Sequence, residues 1–237
     1  MIKIINGTLT PLQDIGVNAG ICWGSPIDDK EKNKKRAIDC IKSGHSRTME
    51  YPDVTLLITG YSARCIRELY THIIGTTRLQ SSTRYVDMSD FKFYDPSVTE
   101  EQSKIYNDTM EIIKSNYEKL IAQGMSKEDA ANILPLGMHT EIVLKINLRA
   151  LEHFMNMRLC SRAYKEIRKL CVEMKKCIGG ISEEWKVHCD TIFVPNCVKY
   201  GYCSEDKCCG KEITKKEMKK ILSEYKNNIN DGKQGEN

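Results

Sequence analysis

Residues 71–87, THIIGTTRLQSSTRYVD, concentrate hydrogen-bond donors in one short segment. They include a histidine, a glutamine, two arginines and six serine or threonine hydroxyls, with no acidic residue before Asp87. The guanidinium groups of Arg78 and Arg84 can each grip a phosphate through paired hydrogen bonds. Hydroxyl and amide groups beside them suit a planar heterocycle with paired donors and acceptors. The segment therefore predicts an anion-binding site, and a polar surface loop with two solvated arginines is the alternative.

Two distant segments carry further side chains that could join this site. His45 and Glu50 lie just before a strand-like run at residues 53–59. Four more polar residues surround the start of a later helix: Asn147, Arg149, His153 and Arg158. Spacings of four and five residues keep the last three roughly on one side of that helix. Taken singly, His45 could be an ordinary helix cap and Arg158 part of a salt bridge between helices.

The bulk composition is that of one folded domain with a small appendix. The chain has 237 residues, of which 41% are hydrophobic and 29% charged, and its net charge is +4. A solvated basic surface explains this modest charge, so we expect neither nucleic acid nor a membrane as a partner. Apolar runs such as residues 54–58 are too short to span a bilayer, and the N-terminus has no signal-peptide pattern. We expect a cytoplasmic protein, of a bacterium or of a phage-infected cell.

The hydrophobic pattern predicts strands mixed with long helices. Strands are expected at residues 1–10, 53–59 and 139–147, the second of them buried and the third with one buried face. Helices are expected over five ranges: residues 29–43, 62–72, 99–123, a short one from 126 to 134, and 148–177. The strands and helices do not alternate regularly, which favours the α+β class over a parallel α/β sheet.

Together, the three polar segments resemble the flavin-dependent thymidylate synthases. That family has a Gly-His motif followed by a glutamate, a helix ending in Arg-His-Arg, and a Ser-x-Arg-Tyr loop. This chain matches with SGHSRTMEY, TRLQSSTRY, ILPLGMHTEIVLKINLRALEHFMNMRL and SRAYKEI, in the expected order over residues 15–170. The combination is far more specific than any single block. It implies a central, mostly antiparallel sheet flanked by long helices.

The resemblance also implies an activity. Such enzymes transfer a one-carbon unit from methylene-tetrahydrofolate to C5 of dUMP and so make dTMP. FAD is their cofactor and NADPH their reductant, so the cofactor carries the difficult chemistry while the protein positions the reactants. They use no cysteine nucleophile. They form homotetramers with each active site shared between subunits, which implies self-association here.

Residue by residue, the resemblance assigns roles to positions in all three segments. Arg84 matches the ligand of the 5′-phosphate, and Ser82 lies beside the pyrimidine. Arg158 matches the arginine that reads the pyrimidine edge, where a cation stabilises negative charge on the ring carbonyl. Ser82 and Arg158 are thus the expected catalytic residues. The further expected substrate-binding residues are Glu68, Arg78, Gln80 and Ser81, and the expected flavin-binding residues are His45, Arg47, Glu50, His72, Asn147, Arg149 and His153.

The chain departs from the family pattern at the Arg-His-Arg motif, which is reduced to THI at residues 71–73. Arg78 or Arg67 would have to replace the lost charge. Glu68 stands where the family commonly has glutamine, and its carboxylate suits a ring with an amino donor. Two alternatives therefore stay open. One is C5 methylation or hydroxymethylation of another pyrimidine nucleotide such as dCMP, and the other is a non-catalytic protein that binds flavin or nucleotide.

Five of the eleven cysteines lie within residues 189–209. Thiolates of Cys197, Cys203, Cys208 and Cys209 could hold a zinc ion. The spacing lacks the Cys-x-x-Cys pairs typical of zinc sites, so buried free thiols or a redox disulfide are the alternatives. We expect a catalytic domain at residues 1–180. Residues 181–237 are then expected to form a cysteine-rich C-terminal extension, which ends in a polar tail at residues 227–237.

Overall fold

The computed structural model describes residues 1–223, so the expected polar tail at residues 227–237 lies outside the described residues. Within residues 1–223, four strands form one antiparallel sheet in the order β1-β2-β4-β3. The strands are β1 (Ile2–Gly7), β2 (Asp53–Ser62), β3 (Thr76–Gln80) and β4 (His139–Asn147). Antiparallel pairing throughout, with long helices packed on the sheet, confirms the expected α+β class.

Helices connect and flank the strands. The α-helices are α1 (Pro11–Cys22), α2 (Lys30–Lys42), α3 (Ala63–Tyr70), α4 (Glu100–Ala122), α5 (Lys127–Ala130), α6 (Leu148–Arg158), α7 (Lys165–Gly179), α8 (Glu183–Thr191) and α9 (Asn196–Tyr200). Two 3-10 helices span Ser46–Glu50 and Ala131–Ile133, and residues 215–223 are helical. Among residues 1–223, none of these helices is both long enough and apolar enough to cross a membrane.

Helices α1, α8 and α9 are absent from the sequence-based prediction. In α1 the reason is its glycines, which are poor helix formers and weaken the pattern. The structure shows why Gly16 is there: a Cβ at this position would lie 2.0 Å from the backbone oxygen of Asn33. The glycine lets α1 and α2 pack backbone against backbone.

Strand β2 forms where expected, but the expectation of full burial is wrong. Val54, Leu56 and Ile58 are buried, whereas the residues between them are half-buried. The core covers only one face of the antiparallel sheet, so alternate side chains reach it. Strand β4 shows the same alternation, and there the predicted buried face is confirmed.

Part of the polar segment is a strand rather than a loop. Residues Thr76–Gln80 form β3, which pairs with β4 alone and is therefore an edge strand. Arg78 lies opposite the buried Leu144 and Leu79 opposite Val143. Two β-branched residues and a leucine favour this strand. The polar side chains around them interrupt the hydrophobic pattern, so the strand was not predicted from the sequence.

The helix expected over residues 148–177 is two helices, because residues 159–164 form turns. Cys160 and Ser161 are weak helix formers, and a serine can compete for backbone hydrogen bonds. Asn147 starts α6 as its cap, accepting a hydrogen bond from the Ala150 amide at 2.9 Å. The break places Arg158 at the last residue of α6 and lets α7 turn back across the core.

The long helix α4 forms as expected and packs by a narrow apolar stripe. Met110 and Tyr117 are buried in a second, smaller core, whereas Ile105 is 70% exposed. The main core includes residues beyond position 180. Trp185 is fully buried there and donates a hydrogen bond from Nε1 to the carbonyl of Thr8 at 2.7 Å. The domain boundary at residue 180 stays a prediction.

A buried carboxylate joins α7 to the start of α3. Glu166 is 2% exposed and accepts hydrogen bonds from the Ser62 amide at 2.7 Å and the Ser62 hydroxyl at 2.5 Å. The same hydroxyl caps α3 by accepting from the Cys65 amide at 3.0 Å. Glu166 therefore fixes where α3 begins, and α3 carries Glu68 and leads into His72.

We predict that Glu166→Gln destabilises the protein by about 1–3 kcal/mol, because the amide offers one acceptor oxygen where the carboxylate offers two. Urea denaturation measures the free energy of unfolding. Glu118→Gln on the exposed side of α4 is the matched control and should change it by less than about 0.5 kcal/mol. Equal effects of the two substitutions would contradict this role of Glu166.

Candidate functional site

Arg158, at the end of α6, is surrounded by polar groups from the end of α3 and the residues after it. Its Nη1 lies 2.9 Å from Oε2 of Glu68. Its Nε donates to Nε2 of His72 at 3.2 Å, and its Nη2 donates to Oγ1 of Thr71 at 3.2 Å. The arginine side chain is only 18% exposed. Three partners on three nitrogens hold the guanidinium in one orientation.

His72 is buried at 9% exposure and stays neutral. Burial lowers its pKa to about 4, and the nearby cation of Arg158, then His153 and Arg78, add to the effect. An imidazole that accepts at Nε2 must carry its proton on Nδ1. The ring packs edge-on against Phe154, with 5.0 Å between centroids. His72 is thus a fixed neutral acceptor for Arg158.

Arg158 and His72 open onto a cavity of about 400 Å³. Four of its lining residues are polar: Thr71, His72, His153 and Arg158. The other four are apolar: Ile73, Ile74, Ala150 and Met157. A planar ring that is polar at its edge and apolar on its face fits such a lining.

Arg78 is expected to bind substrate, but its guanidinium group contacts other groups of the protein. Its Nη1 donates to the carbonyl of His72 at 2.9 Å, and the guanidinium lies over the ring of Tyr70, 4.5 Å from its centroid. Tyr70 and Thr71 are contact residues of the site that were not predicted from the sequence. The family pattern offers no signal for Thr71, because it has an arginine at that position.

Glu50, Asn147 and Arg149 meet at the start of α6. Arg149 Nη1 forms an ion pair with Glu50 Oε1. The Asn147 side chain lies against Gly75, where a Cβ would be 2.6 Å from Asn147 Nδ2. Gly75 has a φ of +73°, which also favours glycine. These residues line a cavity of about 360 Å³ together with Asp53, Thr76, Thr77 and Lys145, although Arg149 itself is not part of its wall.

His45, Arg47 and His153 are exposed. His45 precedes the first 3-10 helix, and its Nδ1 lies 3.3 Å from Oγ of Ser43. Arg47 forms no ion pair within residues 1–223. The ring of His153 lies 5.6 Å from that of His72, centroid to centroid. His153 thus lies beside His72 at the first cavity, whereas His45 and Arg47 stay at the surface.

The third group of expected residues lies at the far end of β3. Gln80 Nε2 donates to Oγ1 of Thr140 at 3.0 Å, and Ser81 Oγ lies 3.3 Å from the same atom. Arg84 forms an exposed ion pair with Glu128 at 3.1 Å. The Ser82 hydroxyl accepts from the Arg84 amide at 3.3 Å.

One chain does not join this third group to Arg158. Throughout the described part of the chain, no hydrogen bond or ion pair connects Ser82 or Arg84 with Glu68, His72 or Arg158. The fold brings Glu50 together with Arg149, and His72 together with Arg158. It leaves the Ser-x-Arg motif, Ser82 and Arg84, beside the sheet edge.

The four thiols expected to hold zinc do not form a metal site. In residues 1–223, no three histidine, cysteine, aspartate or glutamate side chains are placed to share a metal ion. Cys208 donates to the carbonyl of Glu212 at 3.3 Å, and Cys209 lines a cavity with Cys197 and Cys203. All eleven cysteines are free thiols.

Comparison with known proteins identifies the family. The family model described as "Thymidylate synthase complementing protein" matches residues 3–182. The chain is 30% identical over 239 residues to the flavin-dependent thymidylate synthase of Geobacter sulfurreducens, covering 94% of this chain and 98% of that protein. It is 31% identical over 247 residues to that of Pyrococcus horikoshii, covering 94% and 99%. This chain belongs to the thymidylate synthase complementing protein family.

Two solved structures share the fold. The flavin-dependent thymidylate synthase of Helicobacter pylori, complexed with FAD and dUMP, has a TM-score of 0.63 at 20% identity, over 78% of this chain and 98% of that one. A UMP/dUMP methylase of Streptomyces cacaoi, bound with 5-Br dUMP, has a TM-score of 0.68 at 16% identity, over 82% and 96%. At these identities the likeness concerns the fold alone, and it confirms the architecture.

We predict that His72→Gln weakens the pH dependence of stability. Between pH 6 and 5 an unfolded histidine, with a pKa near 6.5, becomes protonated, while folded His72 stays neutral down to about pH 4. The unfolded state then binds more protons, so stability falls as pH falls. The wild-type protein should lose about 1 kcal/mol more than His72→Gln over this interval.

Urea denaturation at both pH values measures this difference. His188 is also buried, and burial lowers its pKa to about 4, but it contributes equally to both proteins. The exposed His45→Gln should behave as wild type. Parallel pH curves for wild type and His72→Gln would contradict a neutral, buried His72.

Proposed function

We propose that this chain is an FAD-dependent methyltransferase that converts dUMP to dTMP, with methylene-tetrahydrofolate as the carbon donor and NADPH as reductant. The observation that carries the proposal is Arg158, oriented by Glu68, Thr71 and His72 at a cavity lined by both polar and apolar residues. Membership of the family supports it, as does the activity for which the relatives are named.

In this proposal Arg158 reads the pyrimidine edge. Its guanidinium is already held in position, so little reorganisation is needed when negative charge develops on a ring carbonyl. His72 supports it without competing for that charge, because a neutral imidazole adds no second cation. Arg84 is proposed to bind the 5′-phosphate and Ser82 to lie beside the ring, with Gln80 and Ser81 near them. Arg78 would hold this polar segment in place through its hydrogen bond to the carbonyl of His72.

The residues around α6 fit a flavin. His72 and His153 offer polar edges beside the apolar Ile73, Ile74 and Met157, which suits a large heterocycle. We propose that Glu50, Asn147, Arg149, His153 and His72 hold FAD, with His45 and Arg47 at its periphery. Gly75 lets the Asn147 side chain pack closely against the backbone at the edge of the second cavity, of about 360 Å³. When bound, FAD supplies the redox chemistry that the side chains lack.

The experiment that tests the activity is tritium release from [5-³H]dUMP in the presence of FAD, NADPH and methylene-tetrahydrofolate. Arg158→Lys should lower the rate by about 100-fold or more, because an ammonium cannot reproduce three fixed donors. The control is Arg162→Lys, at an exposed arginine that pairs with Glu205. No release by the wild-type protein, despite bound flavin, would favour the non-catalytic alternative. Equal rates for the two variants would contradict the role of Arg158.

A second candidate substrate is dCMP, and the position of Glu68 favours it. Its Oε2 lies 2.9 Å from Arg158 and offers an acceptor at the place where the pyrimidine would be read. An amino group at C4 of cytosine can donate to this carboxylate, whereas the carbonyl of uracil cannot. The ion pair with Arg158 opposes this reading, since it already satisfies the carboxylate. A hydroxymethyl rather than methyl product is a further variant of the same chemistry.

We predict that wild type prefers dUMP and that Glu68→Gln leaves this preference within about threefold, because the ion pair occupies the carboxylate. Competition between [5-³H]dUMP and [5-³H]dCMP measures the ratio of kcat/KM values, and mass spectrometry of the product separates methyl from hydroxymethyl. Glu118→Gln, at an exposed position of α4, is the control. A preference for dCMP that Glu68→Gln reduces tenfold or more would establish the alternative substrate.

We further propose that the site is completed by another copy of this chain, as a homotetramer. Ser82 and Arg84 have no link to Arg158 within one chain. Apolar side chains beside them are exposed: Ile73 69%, Ile74 88%, Leu79 74% and Tyr85 76%. An exposed apolar patch next to an uncovered sheet edge is typical of an interface.

We predict that two inactive variants restore activity when mixed. Arg84→Gln and Arg158→Gln should each be inactive alone, because each lacks one half of every site. Mixed oligomers contain some sites with both arginines, so tritium release should return to roughly a quarter of the wild-type rate, as random assortment of the two halves requires. Subunit exchange is promoted by mild urea before mixing. A mixture that stays inactive, although mass spectrometry shows mixed oligomers, would contradict a shared site.

The cytoplasmic location is also part of the proposal. Its support is the thiol chemistry: eleven cysteines are unpaired, which suits a reducing compartment.

A further inference from the structure

A cavity of about 520 Å³ lies between the end of α6, the start of α7 and the cysteine-rich extension. Met157 borders both this cavity and the one that His72 and Arg158 line. The function proposed for Arg158 makes no use of the second space. Its volume suits a small organic molecule.

Four thiols line this cavity: Cys160, Cys197, Cys203 and Cys209. Cys209 is exposed, whereas the other three are buried or half-buried. Hydrogen bonds from the Ser161 hydroxyl and the Lys211 amide lower the pKa of the Cys209 thiol. A thiol that is accessible and readily ionised reacts faster than its buried neighbours.

The charged residues of the cavity favour an anion. Arg162, Arg168 and Lys211 line it, with Glu205 as the single carboxylate. Glu205 is engaged by Arg162 at 3.1 Å. Arg168 has a buried Nε without a hydrogen-bond partner, and its guanidinium forms no ion pair within residues 1–223. The Arg168 guanidinium therefore lacks a counter-charge among these residues, and an anion bound in the cavity would supply one.

We propose that this cavity binds a low-molecular-weight disulfide that carries carboxylates, and that Cys209 exchanges with it to form a mixed disulfide. The Cys209 thiolate attacks one sulfur, a new S–S bond forms, and the old S–S bond breaks. The other half leaves as a thiolate and takes up the proton that Cys209 lost. The small disulfide is the oxidant, so no further reagent is needed. Arg168 and Lys211 hold the carboxylates.

The test uses two disulfides whose leaving thiols absorb light, dithiobis(nitrobenzoate) with carboxylates and dithiodipyridine without charge. Stopped-flow absorbance follows release of the thiol at each attack, whatever happens to the mixed disulfide afterwards. The wild-type protein should show a fast phase of one thiol with both reagents. Cys209→Ser should remove this phase. Cys22→Ser removes an exposed thiol that lies outside the cavity, and this variant should retain the fast phase.

Arg168→Gln separates a binding cavity from a merely reactive thiol. It should slow the fast phase with the anionic disulfide roughly tenfold, since a charge-assisted hydrogen bond is lost. It should leave the rate with the neutral disulfide unchanged. A fast phase that survives in Cys209→Ser overturns the proposal. So does an equal effect of Arg168→Gln on both reagents.

Discussion

The hydrogen bond from Arg158 to a neutral, buried His72 is the interaction on which the arrangement of the candidate site depends. It joins α6 to the end of α3, two elements far apart in sequence. Protonation of His72 would set two cations side by side in a poorly solvated place, and burial prevents it. Glu68, on α3, balances the charge of Arg158. The arginine is thereby oriented before any ligand arrives.

The rest of the fold supports this contact from both ends. Glu166 fixes the start of α3 through Ser62, and Asn147 fixes the start of α6 as its cap. The turns between α6 and α7 place Arg158 at the end of a helix, beside the polar segment. Edge strand β3 then carries the chain past the site to the Ser-x-Arg motif. What the single chain lacks is a contact between that motif and Arg158, and a second copy is the proposed source.

Much of this could be predicted from the sequence, and the failures have physical causes. The alternation in β4 and the start of a helix at about residue 62 were correct because local patterns alone determine them. Strand β3 was missed because polar side chains hid a strand whose backbone is satisfied by β4. The zinc site was wrong because cysteine spacing says little about where thiols lie in space. No sequence pattern could show that Arg78 folds back onto a main-chain carbonyl, which depends on tertiary contacts.

The central claim is that Arg158 lies beside both flavin and pyrimidine, and titration of the flavin-loaded protein with dUMP tests it most directly. The absorption spectrum of bound FAD reports a ring placed against it. We expect a saturable spectral change with wild type, and one at least tenfold weaker in affinity with Arg158→Gln, although flavin remains bound. Identical titrations of the two proteins, or a wild-type protein that takes up no FAD, would contradict the account.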